Sequence, residues 1–358
     1  MYGTGSQGET ISGATLFTFI NPGPSSYFTF ETIPNRTGSF VGKPTCAQGA
    51  WLPSTPYMGV ISSSYVASAV VQPGTSSVYF NPSSSVAGTD YNFRGTGTFT
   101  MTTFNPSGSL FAAAEKGAWF DAGDLTTLFQ DVAGTIPVTA VGQFVGKWLD
   151  KSGNAKHAVA AADNTTRPKY QIDDEGNPNV TFTKSPATQL FTPSIDFTGT
   201  AQMTVCVGAH VTDQSSAGVV VELGADVNSV NGSFLIGAPS STADHSVYLR
   251  GTSTIIAKVG NVVDGDDIIT GLFDISQATK ELELIPRLNY VQLSGSQITW
   301  TGSNAGTGNF GNLPLFLGSR SGLGTPYGGK IYQLIVRGVL STATQVYQIE
   351  TFTDSKLD

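Results

Sequence analysis

Two glutamates at a spacing of two, Glu281 and Glu283, form the pair of carboxylates best suited to acid–base chemistry in this chain. Glycoside hydrolases use two carboxylates that flank the bond to be cut, and residues two apart share one face of a β-strand. However, the alternation of Glu and Leu through residues 281–284 is typical of any half-buried strand, and no further acid follows closely. The pattern therefore favours a strand without a catalytic role.

The other residues that could carry chemistry form no recognisable motif. The three histidines lack the spacing of a metalloprotease helix. Residues 324–330 spell Gly-x-x-x-x-Gly-Lys, but Ile331 stands where a phosphate-binding loop needs Ser or Thr. Two acid-rich stretches, 173–176 and 264–267, are typical of solvated turns, with metal binding as the alternative. We expect no catalytic residue, no cofactor and no metal ion.

The loop at residues 318–328 is the stretch best suited to ligand recognition. It is rich in Gly and carries one cation, Arg320, and one aromatic ring, Tyr327. Sugar recognition combines a flat ring, which stacks on the apolar face of the sugar, with a forked donor for its hydroxyls. Arg320 and Tyr327 are therefore the predicted ligand-binding residues. The alternative is a connection between two strands in which Tyr327 packs against the sheet.

Five further residues have both a structural and a functional interpretation. Trp119 and Trp148 suit packing between two sheets, with sugar stacking as the alternative. Asp150 and Asn154 lie in a polar turn, where they suit hydrogen bonds to the backbone or, alternatively, ligation of a hard cation. Cys206 lies in an apolar run and is expected to behave as a small buried hydrophobe.

Short strand-like runs divided by Gly, Asn, Asp and Ser dominate the second part of the chain. They are residues 179–183, 203–211, 218–223, 233–236, 246–250, 254–259, 267–274, 281–286, 297–301, 313–317 and 330–337. Eleven such runs predict two stacked antiparallel sheets. Only residues 341–350 show helical spacing, with Ser341 as the expected N-cap.

The first 111 residues differ from the rest in charge. They hold only six of the 44 charged residues, and Thr alternates with Phe or Met at residues 16–20, 27–32 and 98–102. Such alternation indicates strands, because disordered segments are poor in aromatic residues. A surface so poor in charge suits packing against other subunits. We predict a β-rich anchoring or oligomerising module at 1–111, a hinge at 112–117 and a sandwich at 118–358.

Composition limits the partners. Charged residues make up 12% of the 358 residues, the net charge is −8, and no basic stripe is present. Nucleic-acid binding requires clustered cations, so nucleic acid is not an expected partner. No apolar run reaches the length needed to span a bilayer, and the N-terminus lacks the pattern of a secretory signal, so membrane insertion is not expected.

Residues 118–131 and 146–158, together with Arg167-Pro168-Lys169-Tyr170, resemble the start of concanavalin-like, laminin-G-like jelly-roll domains of bacteriophage virion proteins. Residues 329–337 and the helix that follows resemble the end of the same domain, so the resemblance covers about residues 117–356. It implies an all-β jelly-roll sandwich. Such domains usually carry paired acids after the Arg-Pro-x-Tyr element, and these are missing at 180–187, which puts a calcium site in doubt.

Three functions follow from the resemblance and the composition. The first is an exposed fibre, appendage or surface protein of a phage virion, assembled in the host cytoplasm, whose sandwich binds host-surface glycans. The second is a capsid decoration or cement protein without sugar binding. The third, which lacks a convincing set of acids, is a polysaccharide depolymerase. The expected partners are other virion proteins, further copies of the chain in a homo-oligomer, and a cell-surface glycan.

Overall fold

A computed structural model describes residues 105–111, 115–239, 244–261 and 265–357, together with four short strands nearer the N-terminus. The chain divides into two units, Met1–Phe104 and Asn105–Asp358. In the first unit, β1 (Phe17–Ile20) pairs with β4 (Asp90–Phe93), and β2 (Thr29–Thr32) pairs with β3 (Val78–Asn81), both antiparallel. The strand predicted at 98–102, and residues 112–114 of the predicted hinge, lie outside the described residues.

The second unit is almost entirely β. Its strands are β5 (Gly117–Asp121), β6 (Leu128–Phe129), β7 (Lys147–Trp148), β8 (Ala158–Val159), β9 (Lys169–Ile172), β10 (Pro178–Phe182), β11 (Leu190–Phe191), β12 (Ile195–Asp196), β13 (Gln202–Val211), β14 (Val219–Leu223), β15 (Ser233–Gly237), β16 (Asp244–Arg250), β17 (Thr254–Asn261), β18 (Asp266–Asp274), β19 (Leu284–Leu288), β20 (Val291–Gln292), β21 (Ile298–Thr301), β22 (Asn312–Leu313), β23 (Leu315–Leu317) and β24 (Gly329–Arg337). Its helices are α1 (Pro106–Ser109), α2 (Lys280–Glu283) and α3 (Ala343–Asp354), with 3₁₀ turns at Leu125–Thr127, Gly295–Gln297 and Ser321–Leu323. No helix among the described residues is long and apolar enough to cross a membrane.

These strands form two large antiparallel sheets, which confirms the predicted sandwich. The eight-stranded sheet has the order β20-β19-β18-β13-β24-β10-β9, with β5 also paired to β24. The ten-stranded sheet has the order β21-β17-β16-β15-β14-β23-β11-β8-β7-β6. The long strands predicted at 203–211, 267–274 and 330–337 are β13, β18 and β24, which lie side by side. Continuous apolar runs such as these suit strands buried on both faces.

The core lies between the two sheets and takes alternate residues of each strand. Val205 and Val207 of β13 belong to the same buried cluster as Phe234 and Ile236 of β15 in the other sheet. Side chains at every second position of a strand point to the same face, so the residues between them face outward. Apolar burial on both inner faces is what holds the two sheets together.

The outer faces of the two sheets differ. Helix α3 covers the eight-stranded sheet, where Cys206 approaches Thr353 at 3.5 Å and the amide of Gln333 donates to the Thr353 hydroxyl at 2.8 Å. Arg287 adds a bidentate ion pair with Glu350 of the helix, with bonds of 2.7 and 2.9 Å.

Two predicted element boundaries are wrong. Residues 280–283 form the short helix α2, and β19 starts only at Leu284, because Glu283 turns inward and accepts a hydrogen bond from the Ala305 amide at 2.8 Å. Helix α3 is capped by Thr342 rather than Ser341. The Thr342 hydroxyl accepts from Gln345 N at 3.3 Å in a capping box, whereas the Ser341 hydroxyl accepts from the Arg337 guanidinium.

Candidate functional site

The candidate site lies on the outer face of the ten-stranded sheet, where β11 and β23 pair. Phe191 lies directly opposite Phe316 in this pairing, and Leu190 lies opposite Leu317. Because both leucines belong to the buried core, the two phenylalanines point to the outer face. Their ring centroids are 6.0 Å apart and their planes are tilted by 33°. Together they form an aromatic platform.

This platform forms part of the lining of a depression of about 640 Å³, which we call the outer-face pocket. Its lining residues come from three neighbouring stretches of the chain and are Ala161, Thr166, Gln189, Phe191, Thr192, Pro193, Ser194, Pro314, Phe316, Ser321, Gly322 and Leu323. A volume in the range of roughly 300–1,000 Å³ with a mostly apolar lining is typical of small-ligand sites.

Polar groups lie around the apolar centre of the pocket. The Gln189 side chain is buried, and its amide nitrogen donates to Ser319 Oγ at 2.7 Å and to the Arg320 carbonyl at 2.6 Å. The Thr192 hydroxyl accepts from the Leu315 amide at 3.0 Å and so ties β11 to β23. Thr166, Ser194 and Ser321, which carry hydroxyls, also line the pocket. The hydroxyls of these three lining residues can exchange hydrogen bonds with a hydroxyl-rich ligand, whereas the Gln189 amide and the Thr192 hydroxyl are buried and hold the protein's own groups.

The loop at 318–328 supplies one wall of the pocket. Gly318 opens the loop at φ +78°, and a Cβ there would lie 1.9 Å from the Phe182 ring, so only glycine fits. Arg320 and Gly324 exchange backbone hydrogen bonds of 2.7 and 3.2 Å, which closes a tight turn. The 3₁₀ turn within it, Ser321–Leu323, lines the pocket. The loop predicted for ligand recognition therefore lies at the pocket.

Arg320, the first predicted binding residue, is tied to two carboxylates beside the pocket. Its Nε lies 3.0 Å from Glu222 Oε2, and its Nη1 lies 3.0 Å from Asp226 Oδ1. Glu222 is fully buried and sits opposite Phe316 in the β14–β23 pairing, so the charged group borders the platform. Burial raises the pKa of Glu222, against the lowering effect of Arg320.

Tyr327, the second predicted binding residue, takes the alternative placement against the sheet. Its ring is fully buried, and its hydroxyl donates to the carbonyl of His210 at 2.7 Å, with Lys330 O at 3.2 Å. Desolvation raises the pKa of the phenol well above its usual value. The ring is packed under the loop, so it does not offer a stacking face to a ligand, and Arg320 and Tyr327 do not form a joint site.

The candidate catalytic residues are not brought together. Glu283 is buried, with one oxygen accepting from Ala305 and the other without a partner among the described residues, and burial raises its pKa. Glu281 is exposed on the other side of the helical turn. A general acid–base pair needs two carboxyl groups directed at one point, and α2 directs these two apart. Among the described residues, no group of three or more His, Cys, Asp or Glu is arranged to hold a metal ion.

The polar turn after β7 is structural. Asp150 Oδ1 accepts from the amides of Trp119 at 2.9 Å and Ser152 at 2.8 Å, and its Oδ2 accepts from the Ser152 hydroxyl at 2.8 Å and the Lys156 amide at 2.9 Å. The Asn154 amide donates to Glu115 O at 2.8 Å. The Asp150 side chain thus holds turn backbone, which is the first of the two predicted roles, whereas the Asn154 side chain ties the turn to the carbonyls of Glu115 and Gly117.

The two tryptophans and the described cysteine are also packing residues. Trp148 is fully buried and Trp119 is 5% exposed, where it meets Phe352 of α3 edge-on at 5.9 Å. Cys206 is buried, and desolvation raises the pKa of its thiol to about 12. Neither indole presents a stacking face on the surface. Cys46 lies outside the described residues.

Sequence reasoning missed the two phenylalanines that build the platform. The pattern that could have found them is the alternation Leu190-Phe191-Thr192 and Leu315-Phe316-Leu317, in which Phe takes the position opposite to a core leucine. Strand alternation alone shows that each Phe faces outward, but not that the two strands are neighbours. Residues 191 and 316 are far apart in the chain, so only the pairing of β11 with β23 brings them together.

Comparisons with known proteins give no family. No family model matches the chain, and no curated protein does. Among solved structures, the chain is similar to a structure of botulinum neurotoxin type C, whose cell entry is described as dependent on two ganglioside molecules. The identity is 8% and the TM-score is 0.43, over 68% of this chain and 51% of the other. It is also similar to domain 4 of the arabinanase AbnA from Geobacillus stearothermophilus, in complex with arabinotriose, at 12% identity and a TM-score of 0.38, over 68% of this chain and all of the other.

A third similar structure is the sialyllactose-bound CBM40 domain of the Ruminococcus gnavus IT-sialidase, at 15% identity and a TM-score of 0.31, over 42% of this chain and 83% of the other. The chain spans about half the length of the neurotoxin structures that it matches. All of these TM-scores lie below 0.5, and at such values a shared function does not follow.

Proposed function

We propose that the chain is a non-catalytic glycan-binding protein whose ligand occupies the outer-face pocket. The observation that carries the proposal is the pairing of Phe191 with Phe316 in the lining of a depression of about 640 Å³, whose lining also includes the hydroxyl-bearing residues Thr166, Ser194 and Ser321. One face of a pyranose carries mainly C–H groups and stacks on an aromatic ring, while its hydroxyls need donors and acceptors at the edge. The pocket offers both.

The setting of the pocket also supports binding. Phe191 is only half-buried, so part of its ring is available to a ligand, whereas Phe316 is 8% exposed and supports it from the adjacent strand. Both rings stand on paired strands, and the Thr192–Leu315 hydrogen bonds fix the distance between those strands. A platform fixed in this way loses little conformational entropy when a ligand binds.

We further propose that the protein is an exposed part of a bacteriophage virion, with residues 1–111 as the attachment or oligomerising module. Support comes from the low charge of that segment and from the jelly-roll resemblance of residues 117–356. In this arrangement the glycan of a host surface meets the outer-face pocket. Negative-stain microscopy of virions labelled with an antibody against the sandwich tests this placement, and an unlabelled virion would contradict it.

Glycan binding is tested with the full chain and the variant Phe191→Ala on a glycan array. A stacked pair of aromatic side chains contributes about 0.5–1.5 kcal/mol; on the same scale for a stacked sugar ring, we expect binding to weaken by roughly two- to twelvefold. Tyr347→Ala is the matched control, because Tyr347 is an exposed aromatic on α3, against the other sheet. Melting temperatures of both variants confirm the fold. If the parent chain binds no glycan on the array, the result would favour the alternative function, a capsid decoration protein without sugar binding.

A further inference from the structure

The charged groups beside the outer-face pocket are paired with one another. Arg320 is the cation of the loop that walls the pocket, and two of its nitrogens are engaged, one by Glu222 and one by Asp226, each at 3.0 Å. A guanidinium recognises a carboxylate or sulfate through its fork of N–H donors. Two of the five N–H donors of Arg320 are therefore held by protein carboxylates, and its positive charge is offset beside the pocket.

The trio of Arg320, Glu222 and Asp226 carries no positive net charge. With both carboxylates ionised, its net charge is −1. Glu222 is fully buried and also accepts from the Val227 amide at 2.6 Å. If Glu222 takes up a proton, the net charge of the trio becomes zero. An anion in the pocket therefore meets either repulsion or no attraction from this side.

Two further cations, Arg167 and Lys156, lie next to lining residues of the pocket and also have carboxylates nearby. Arg167 follows the lining residue Thr166 and lies 3.4 Å from the Asp163 carboxylate. Lys156 donates to the Ser194 carbonyl at 2.8 Å. Lys156 also interacts with the Asp196 carboxylate. The pKa of Asp196 is lowered chiefly by hydrogen bonds from Thr198, and the charges of Lys116 and Lys156 lower it further. Among the described residues, Arg320, Arg167 and Lys156 thus each have a carboxylate nearby.

We propose that the outer-face pocket selects neutral glycans and discriminates against glycans that carry a carboxylate or a sulfate, a property that rests on the glycan-binding function proposed above. The apolar platform holds the C–H face of a neutral sugar ring without any charge. An anionic group at the same place meets cations whose charge is already offset by nearby carboxylates, and it approaches a chain whose net charge is −8. The paired charges beside the pocket therefore favour neutral glycans as ligands.

The test uses the full chain on an array in which each neutral oligosaccharide is paired with its sialylated or sulfated form. One unit of net negative charge about 6 Å from the ligand anion contributes about 0.7 kcal/mol in water, so we expect the acidic member of a pair to bind at least about threefold more weakly. Asp226→Asn removes that charge and keeps the oxygen that accepts from the Asn228 amide at 2.9 Å. We expect the preference for the neutral member to shrink by roughly two- to threefold.

Glu175→Gln is the matched control, because it removes one exposed carboxylate from the β9–β10 hairpin of the other sheet. Acidic glycans that bind as tightly as their neutral partners would overturn the inference and leave glycan binding intact. Absence of binding to every glycan would overturn the proposed function and the inference with it. Equal changes in Asp226→Asn and Glu175→Gln would overturn the role of the trio, because the effect would then arise from overall charge.

Discussion

The ion pair between Glu115 and Arg337 is expected to be the most sensitive polar contact of the sandwich. Arg337 ends β24 and is 2% exposed, and its Nε and Nη2 each lie 2.7 Å from an oxygen of Glu115. Its remaining nitrogen donates to the Ser341 hydroxyl. Glu115→Ala removes both charge-assisted hydrogen bonds and leaves a buried guanidinium without its carboxylate.

The magnitude follows from this burial. Breaking a buried ion pair by removing one partner costs about 3–5 kcal/mol, because the remaining charge stays desolvated. The Glu115 side chain is 13% exposed, so water can partly hydrate the guanidinium that Glu115→Ala leaves unpaired. The expected cost therefore lies at the lower end of the range for buried ion pairs. A loss of about 3 kcal/mol corresponds to a fall in Tm of roughly 6–12 °C for a unit of this size.

The assay is thermal unfolding of the full chain, followed by fluorescence of the tryptophans in the sandwich. Glu281→Ala is the matched control, because Glu281 is an exposed glutamate whose ion pair with Lys280 is 4.0 Å long, and such surface pairs contribute at most about 1 kcal/mol. The double variant Glu115→Leu with Arg337→Met should recover much of the lost stability, since no charge is then buried. A Tm for Glu115→Ala within 2 °C of the control, an estimate based on the same scaling, would refute the argument.

Three further predictions concern the same unit. Elastase should cut the chain first at residues 112–114, where the charge density of the sequence changes, and leave a stable fragment that retains Glu115. Burial raises the pKa of Glu283 above 4.5, so the protonated carboxyl stabilises the fold at low pH, and this stabilisation is lost as pH rises through the raised pKa. In Glu283→Gln, the free energy of unfolding should therefore fall less steeply as pH rises. Gly318→Ala places a methyl group against the Phe182 ring and should lower the unfolding free energy by about 2–4 kcal/mol in a denaturant titration.

Each of these predictions has a contrary result. Cuts scattered through the sandwich with no resistant fragment would contradict the two-domain organisation. An unchanged pH profile in Glu283→Gln would show that this carboxyl does not titrate differently in the folded and unfolded states. For Gly318→Ala, the control is Gly322→Ala, which also has positive φ but open space around it; equal losses in the two variants would attribute the effect to the backbone rather than to Phe182.

Local patterns in the sequence predicted the elements but not their neighbours. The apolar runs that became β13, β18 and β24 were recognisable because each is a long stretch of β-branched and apolar residues. The pattern at Glu281 and Glu283 failed because a strand and a helical turn are both compatible with so short a segment. The inward turn of Glu283 depends on an amide 22 residues away in the chain, at Ala305.

The sequence by itself determined the all-β class, the two-sheet sandwich and the approximate strand positions, because strand period and turn residues are local properties of the chain. It also identified the loop at 318–328. Only the tertiary structure decided which residues of that loop face a ligand: Tyr327 is buried and Arg320 is held by Glu222, nearly a hundred residues earlier. The pairing of Phe191 with Phe316 likewise depends on strand order, because pairing between distant strands is set by how the whole sheet buries its inner face rather than by either segment alone.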